Sequence, residues 1–169
     1  MKTNEGVLVL FVRKSPDNPN TSSEVLLAKR SLTAKIGKGK LNGYGGKIKK
    51  NETPKHATVR EVDEETKHGL IVREQDLEPR GKIIFYNFKG LPIWDVHLFV
   101  CLEFSGEPNE SKEMLDPKWY AASQIASLDM MPGDRLFIPI LLEGRTIPDG
   151  WITFSEDFSK VISRSLESY

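Results

Sequence analysis

The 169-residue sequence has a single cysteine, three histidines, no net charge and no long apolar run, and each shortage excludes something. Cys101, inside the run HLFVCL, has no partner for an internal disulfide. A reducing, cytoplasmic setting is therefore expected, with the thiol as a core group that no neighbouring base activates. The apolar stretch 7–12 falls far short of the roughly 20 residues a bilayer crossing needs. Glu5 before it and Arg13 directly after it make a poor signal peptide, so no membrane association is expected. His56, His68 and His97 lack Cys or His partners at zinc-ligand spacing. Lysine plus arginine balances aspartate plus glutamate at 24 each. The basic excess of a dedicated DNA-binding domain is absent, and no nucleic-acid partner is expected. There is no internal repeat, no low-complexity tract and no Ser/His/Asp set with a nucleophile elbow.

What is present is enough apolar sequence, 38%, for one core. Residues 6–13 (GVLVLFVR) and 24–30 (EVLLAKR) read as strands, with turn-forming SPDNPNTSS (15–23) as a surface loop between them. Segments 81–88 and 91–104 read as strands joined at Lys89-Gly90, and 118–121 as another. Segments 123–128 and 134–142 read as helical, the second interrupted by Pro139. Phe158, Val161, Ile162, Leu166 and Tyr169 recur at helical spacing, which predicts a C-terminal helix over about 155–169, capped by Ser155 and packed on the body. The expectation is a single α+β domain over 1–169, a monomer with a dimer left open.

The clearest helix opens at Thr53-Pro54, a good N-cap followed by proline at the first position, and runs to Lys67 with Gly69 as its C′ residue. On it Glu61, Glu64 and Glu65 stand at i, i+3 and i+4 and project from one face. Partly buried, such carboxylates repel by about 4 kcal/mol per pair at ~4 Å and an effective dielectric of 20. A divalent cation with hard oxygen ligands offsets that repulsion; a solvated acidic face with an Arg60–Glu64 pair accounts for the same spacing. The preceding segment 25–51 holds eight Lys or Arg and no Asp or Glu. A basic, glycine-rich loop feeding an acidic helix suits a polyphosphate. It is neither a Walker loop, since Leu41 and Ile48 break that motif, nor a dinucleotide fingerprint, since Asn42 stands where the third glycine belongs.

Gly46, Glu52, Arg60, Glu61, Val62, Glu64 and Glu65 stand in the register of the Nudix box, G-x5-E-x7-R-E-U-x-E-E-x-G-U with U aliphatic. The chain thus resembles the Nudix hydrolases, and within them the MutT-type enzymes of the mammalian 8-oxo-dGTP diphosphatase group. LNGYGGK (41–47), WDVHLF (94–99), Glu113-Met114, Trp119-Tyr120 and the stretch 130–139 carry the closer likeness. One departure is plain: the box glycine expected at position 67 is Lys67, and glycine follows at Gly69, as if two residues were inserted at the helix exit.

The resemblance implies an α/β/α sandwich around a mixed sheet, and Mg²⁺- or Mn²⁺-dependent hydrolysis of a nucleoside triphosphate to monophosphate and pyrophosphate. It assigns the metal to Glu61, Glu64, Glu65, Glu113 and the carbonyl of Gly45, with Arg60 and Glu52 completing the catalytic set by orienting the glutamates. Asn42, Gly46, Lys47, Trp94, Met131 and Asp134 are assigned to substrate. Two base-recognition positions are depleted: Met131 stands for a stacking tryptophan and Gly133 for the first of two aspartates. Trp94, where an aliphatic residue is expected, is a candidate stacking partner. Another nucleoside diphosphate-linked substrate, a non-catalytic nucleotide- or RNA-binding module, and a scaffold that associates through its C-terminal helix remain alternatives.

Overall fold

The computed structural model describes residues 2–17 and 23–169. Among the described residues, eleven strands and two α-helices follow in chain order: β1 Asn4–Lys14, β2 Ser23–Arg30, β3 Leu41–Asn42, β4 Tyr44–Lys47, α1 Pro54–Glu65, β5 Leu70–Ile71, β6 Leu77–Tyr86, β7 Pro92–Cys101, β8 Ser105–Gly106, β9 Met114–Ala121, α2 Asp134–Leu142, β10 Ile147–Phe154 and β11 Val161–Ser165. The main sheet runs β11-β10-β6-β7-β1-β2-β3, with β4 added to β1 and β9 to β2. β1 with β7 and β6 with β10 are parallel, and the remaining pairs antiparallel, so the sheet is mixed.

β1 shows why both faces are covered. Its residues Leu8, Leu10 and Val12 enter one apolar cluster, and Val7, Val9 and Phe11 enter another on the opposite face. A strand with side chains on alternate faces that is apolar at every position must be buried on both sides. α1 covers one face through Ala57 and Val62, and α2 covers the other through Phe137, Ile138 and Leu141. This is the expected helix–sheet–helix sandwich.

Several local expectations change. The loop expected over 15–23 has its residues 18–22 outside the described residues. The segment 123–128 forms a 3₁₀ turn, Ala122–Ser127. α2 runs through Pro139 without a break. Proline there forfeits one backbone hydrogen bond, which burial of Phe137, Ile138 and Leu141 offsets.

The C-terminal helix does not form. Residues 161–165 are a strand paired antiparallel to β10, with Trp151 opposite Ser165 and Thr153 opposite Ser163. Asp157 caps the turn before it, accepting from the Ser159 backbone N–H at 3.0 Å and from the hydroxyls of Ser155 and Ser159. Phe158 takes φ +62°, which ends any helical path. Of the expected stripe, Phe158, Val161 and Leu166 pack on the core, while Ile162 and Tyr169 are exposed. The unpaired edge of β10 offered the tail backbone partners, and helical spacing of five apolar residues did not outweigh them.

Candidate active site

α1 begins as its sequence dictates: Thr53 Oγ1 accepts from the His56 N–H at 3.1 Å, and Pro54 occupies the first turn. The helix then leans on β4, the short glycine strand, and this contact builds the site. A side chain at Gly46 would collide with the Glu61 carboxylate, and one at Gly45 with the Val7 carbonyl. Glycine at both positions lets α1 bring its carboxylates against the strand backbone.

The Gly45 N–H donates to Glu65 Oε1 at 2.8 Å. Glu65 is almost wholly buried, and burial pushes its carboxyl up to about 8 against that hydrogen bond, with the charges of Glu61 and Glu113 adding to the rise. Glu61 is raised as well, first by burial, with Glu64 and Glu113 acting the same way and Arg60 opposing. Glu113, far away in sequence, therefore belongs to the same acidic cluster. Its loop is held by the Ser31 N–H donating to the Glu113 carbonyl at 3.0 Å.

Arg60 ties the cluster together from behind. Its Nε and Nη2 grip Glu52 at 2.6 and 2.8 Å, Nη2 also donates to the Lys47 carbonyl at 3.0 Å, and Nη1 reaches Glu61 at 2.9 Å and Glu64 at 3.4 Å. The two-pronged bond from Arg60 holds the Glu52 carboxyl down at about 2. Glu52 in turn accepts from the Lys49 N–H, so the loop before α1 is locked to the helix face. Among the described residues, no three His, Cys, Asp or Glu side chains are already drawn up as a metal cage. The three helix carboxylates are held by two partners: Glu65 by Gly45, Glu61 and Glu64 by Arg60.

Glu65 and Glu113 border a cleft of about 560 Å³, whose wall also includes Asn42, Gly45, Gly46, Trp94, Met131 and Asp134. Six of the expected site residues thus meet with the acidic cluster across one cavity. Glu61 lies against Gly46, Glu64 is exposed, and Lys47 is exposed with its carbonyl accepting from Arg60; none of the three lines the cleft. Asn42 folds its Oδ1 onto the Gly43 N–H at 2.8 Å. Met131 lies against Gly37 in the glycine-rich loop.

Asp134, in the first turn of α2, is buried, and its Oδ2 has no hydrogen-bond partner. Burial pushes its carboxyl up to about 7, with Arg30 pulling the other way. Arg30 also acts on Glu65 and lines the same cleft. Sequence reasoning missed Arg30, although it sits in the basic segment, and missed Phe85, Phe137 and Phe154. These three come from β6, α2 and β10, and only the sheet order brings them together. Lys112, beside Glu113, was legible by adjacency.

The NUDIX domain model matches residues 4–141. The chain belongs to the Nudix family. It is 40% identical over 109 residues, 64% of the chain, to the mouse oxidized purine nucleoside triphosphate hydrolase, and 38% identical over 108 residues to the zebrafish protein of that name. The match spans 66% of the length of each relative. Among solved structures, the MutT protein of Bacillus halodurans superposes with a TM-score of 0.75 at 21% identity over 97% of both chains. The NUDIX domain of Shewanella oneidensis NrtR, solved with ADP ribose, superposes with a TM-score of 0.65 at 15% identity, covering 85% of this chain and 88% of that one. These likenesses agree with the Nudix sandwich. The inserted pair at the helix exit is resolved locally: Lys67 and His68 both take left-handed backbone, φ +47° and +61°, and close a Schellman-type end through Lys67 N–H to Glu64 O and His68 N–H to Asp63 O. Gly69, expected as the C′ residue, is instead glycine because a side chain there would strike the Glu107 carbonyl.

Proposed function

We propose that this Nudix chain, acting as one catalytic domain, hydrolyses a purine nucleoside triphosphate to the monophosphate and pyrophosphate. Oxidised purines such as 8-oxo-dGTP are the substrates to test first, in a reducing, cytoplasmic setting. The observation that carries the reading is the polarity of the cleft. Its wall combines a buried carboxylate, Glu65, that has Glu61 and Glu113 in its field with aromatic rings and the buried Asp134 carboxyl, whose Oδ2 is unpartnered. A nucleotide likewise joins a polyanion to a flat polar ring.

Glu65 tests whether a cation fits. A carboxylate so deeply buried, with Glu61 and Glu113 in its field and one amide hydrogen bond, is poorly compensated by the protein alone. All donors are hard oxygens, which suits Mg²⁺ or Mn²⁺ held by Glu61, Glu64, Glu65, Glu113 and the Gly45 carbonyl. Such an ion neutralises phosphate charge and lowers the pKa of a bound water. The chain supplies the rest. Arg60 and Glu52 fix the carboxylate positions, Arg30 and Lys112 add positive charge for phosphate oxygens, and a carboxylate of the cluster takes the proton of the attacking water. Gly46 and Lys47 carry the strand past the phosphates, and Asn42, Asp134, Trp94 and Met131 meet the base.

The complete set of box glutamates supports hydrolysis over a binding module. Hydrolysis of another nucleoside diphosphate derivative is the second reading, favoured by Met131 and Gly133 at the two altered base positions. A product assay over oxidised and ordinary dNTPs, NTPs, dinucleoside polyphosphates and nucleotide sugars decides between them. Pyrophosphate release greatest with a purine triphosphate supports the first reading; preference for a sugar- or nucleotide-capped diphosphate replaces it.

A further inference from the structure

Gly6 lies on β1 and lines the cleft together with Trp94. The parallel register sets Asn4 beside Trp94 and Gly6 beside Val96, so the indole reaches two residues along the ladder to meet Gly6. A methyl group at position 6 would lie 3.0 Å from Cε3 and Cζ3 of the indole and 3.1 Å from the Gly46 carbonyl oxygen. The indole's six-membered ring therefore occupies the space that a side chain on β1 would fill. The backbone of Gly6 does not require glycine, since it is not among the positive-φ positions. A glycine in a strand interior lowers stability and leaves nothing to pack, and it marks a place where something approaches the backbone closely. Here two groups approach: the Trp94 indole, nearest at 3.0 Å from that methyl position, and the Gly46 carbonyl at 3.1 Å.

Phe85, opposite Trp94 in the ladder, Val96 and Phe154 line the same cleft from the sheet, while the stretch before α2 contributes Met131. The flat, rigid stacking surface of this cleft thus comes from the sheet and not from the loop before α2. We infer that Gly6 is a specificity-determining position: its missing side chain seats Trp94 against β1, and the seated indole is the wall on which the nucleobase stacks. The inference rests on the nucleotide reading of the cleft but not on hydrolysis. Stacking area scales with ring size, so purines gain more from this wall than pyrimidines.

Trp94 itself supplies the readout. In a Trp119→Phe/Trp151→Phe background the remaining emission belongs to Trp94. Adding purine triphosphate is expected to quench it, with pyrimidine triphosphate at least several-fold weaker. Gly6→Ala is expected to shift the emission and raise acrylamide quenching, because the indole is pushed off the strand. It should also raise KM for the purine substrate by about tenfold, within the range base–aromatic stacking supplies, with kcat within about twofold. The fold should survive, since alanine suits the strand better than glycine. If Gly6→Ala does not fold, the Gly6→Ala/Trp94→Leu protein, in which the smaller side chain clears the methyl group, is expected to fold and to show the KM of Trp94→Leu alone. Unchanged Trp94 emission in Gly6→Ala overturns the inference, as does a shifted emission with unchanged purine KM. Hydrolysis without any quench also overturns it while leaving the proposed reaction standing. Quenching by purine triphosphate in a protein that turns nothing over does the reverse.

Discussion

Glu65 and Asp134 are both buried acids, yet their surroundings differ in a way that separates their roles. Glu65 is crowded by other carboxylates and accepts a backbone hydrogen bond. Glu65→Gln keeps that bond and cannot become the anion that a cation would need as a ligand. It is expected to reduce kcat on the order of a thousandfold, about 4 kcal/mol of lost transition-state stabilisation, while the metal-free protein melts no lower than the parent. Steady-state assays and thermal melts in chelator check the two halves. Asp134 has no carboxylate neighbour among the groups that shift it, and its carboxyl is raised from 3.8 to about 7 by burial. The folded state retains a proton that the unfolded chain gives up near pH 4. Stability therefore falls as pH rises from about 4 to about 7, and the loss is complete above that window. Asp134→Asn cannot titrate, so its unfolding free energy, measured by denaturant titration across the window, is expected to decline less than the parent's.

At the scale of elements, the exit of α1 shows how an insertion is absorbed. Two consecutive non-glycine residues in left-handed backbone are unfavourable by roughly 1–2 kcal/mol each, offset here by the closed helix end. Lys67 is exposed and lies outside the cleft, so Lys67→Gly is expected to stabilise the protein by up to about 1 kcal/mol with turnover unchanged, as read by melting and by assay. Thr53→Ala, by contrast, removes the cap on His56 and is expected to lower stability by about 1 kcal/mol. The helix start was legible because a cap and a proline are local chemistry. The helix end was not, because Gly69 answers to Glu107 on another segment, and no local pattern reports a backbone that approaches from elsewhere.

Across the whole molecule, the tail closes the sheet. Phe158, Val161 and Leu166 pack on the α2-side core, and Thr146 exchanges two backbone hydrogen bonds of 3.0 Å with Tyr169. A chain ending at Phe154 is expected to lose about 3 kcal/mol, counting roughly 1 kcal/mol for each half-buried apolar side chain, and to associate through the bared edge of β10. Denaturant melts and sedimentation test both. Chelation of divalent ions is expected to abolish turnover, with recovery on adding Mg²⁺ and no change in far-ultraviolet circular dichroism, since the sheet and not the ion carries the fold.

The residues by themselves determined the acidic helix, its start, the box glycine before it and hence the family, because all of these lie within twenty consecutive positions and depend on short-range spacing, whereas the strand around that glycine came only from pairing with β1. They also determined two buried faces through the unbroken apolar run of β1. Tertiary structure alone decided that 161–165 is a strand, that Glu113 joins Glu61 and Glu65, and that Arg30, Phe85, Phe154 and Gly6 share one cleft. Each of those depends on which strand lies beside which, and strand neighbours are chosen by backbone hydrogen bonding between distant segments, a contest that periodicity within one segment cannot register.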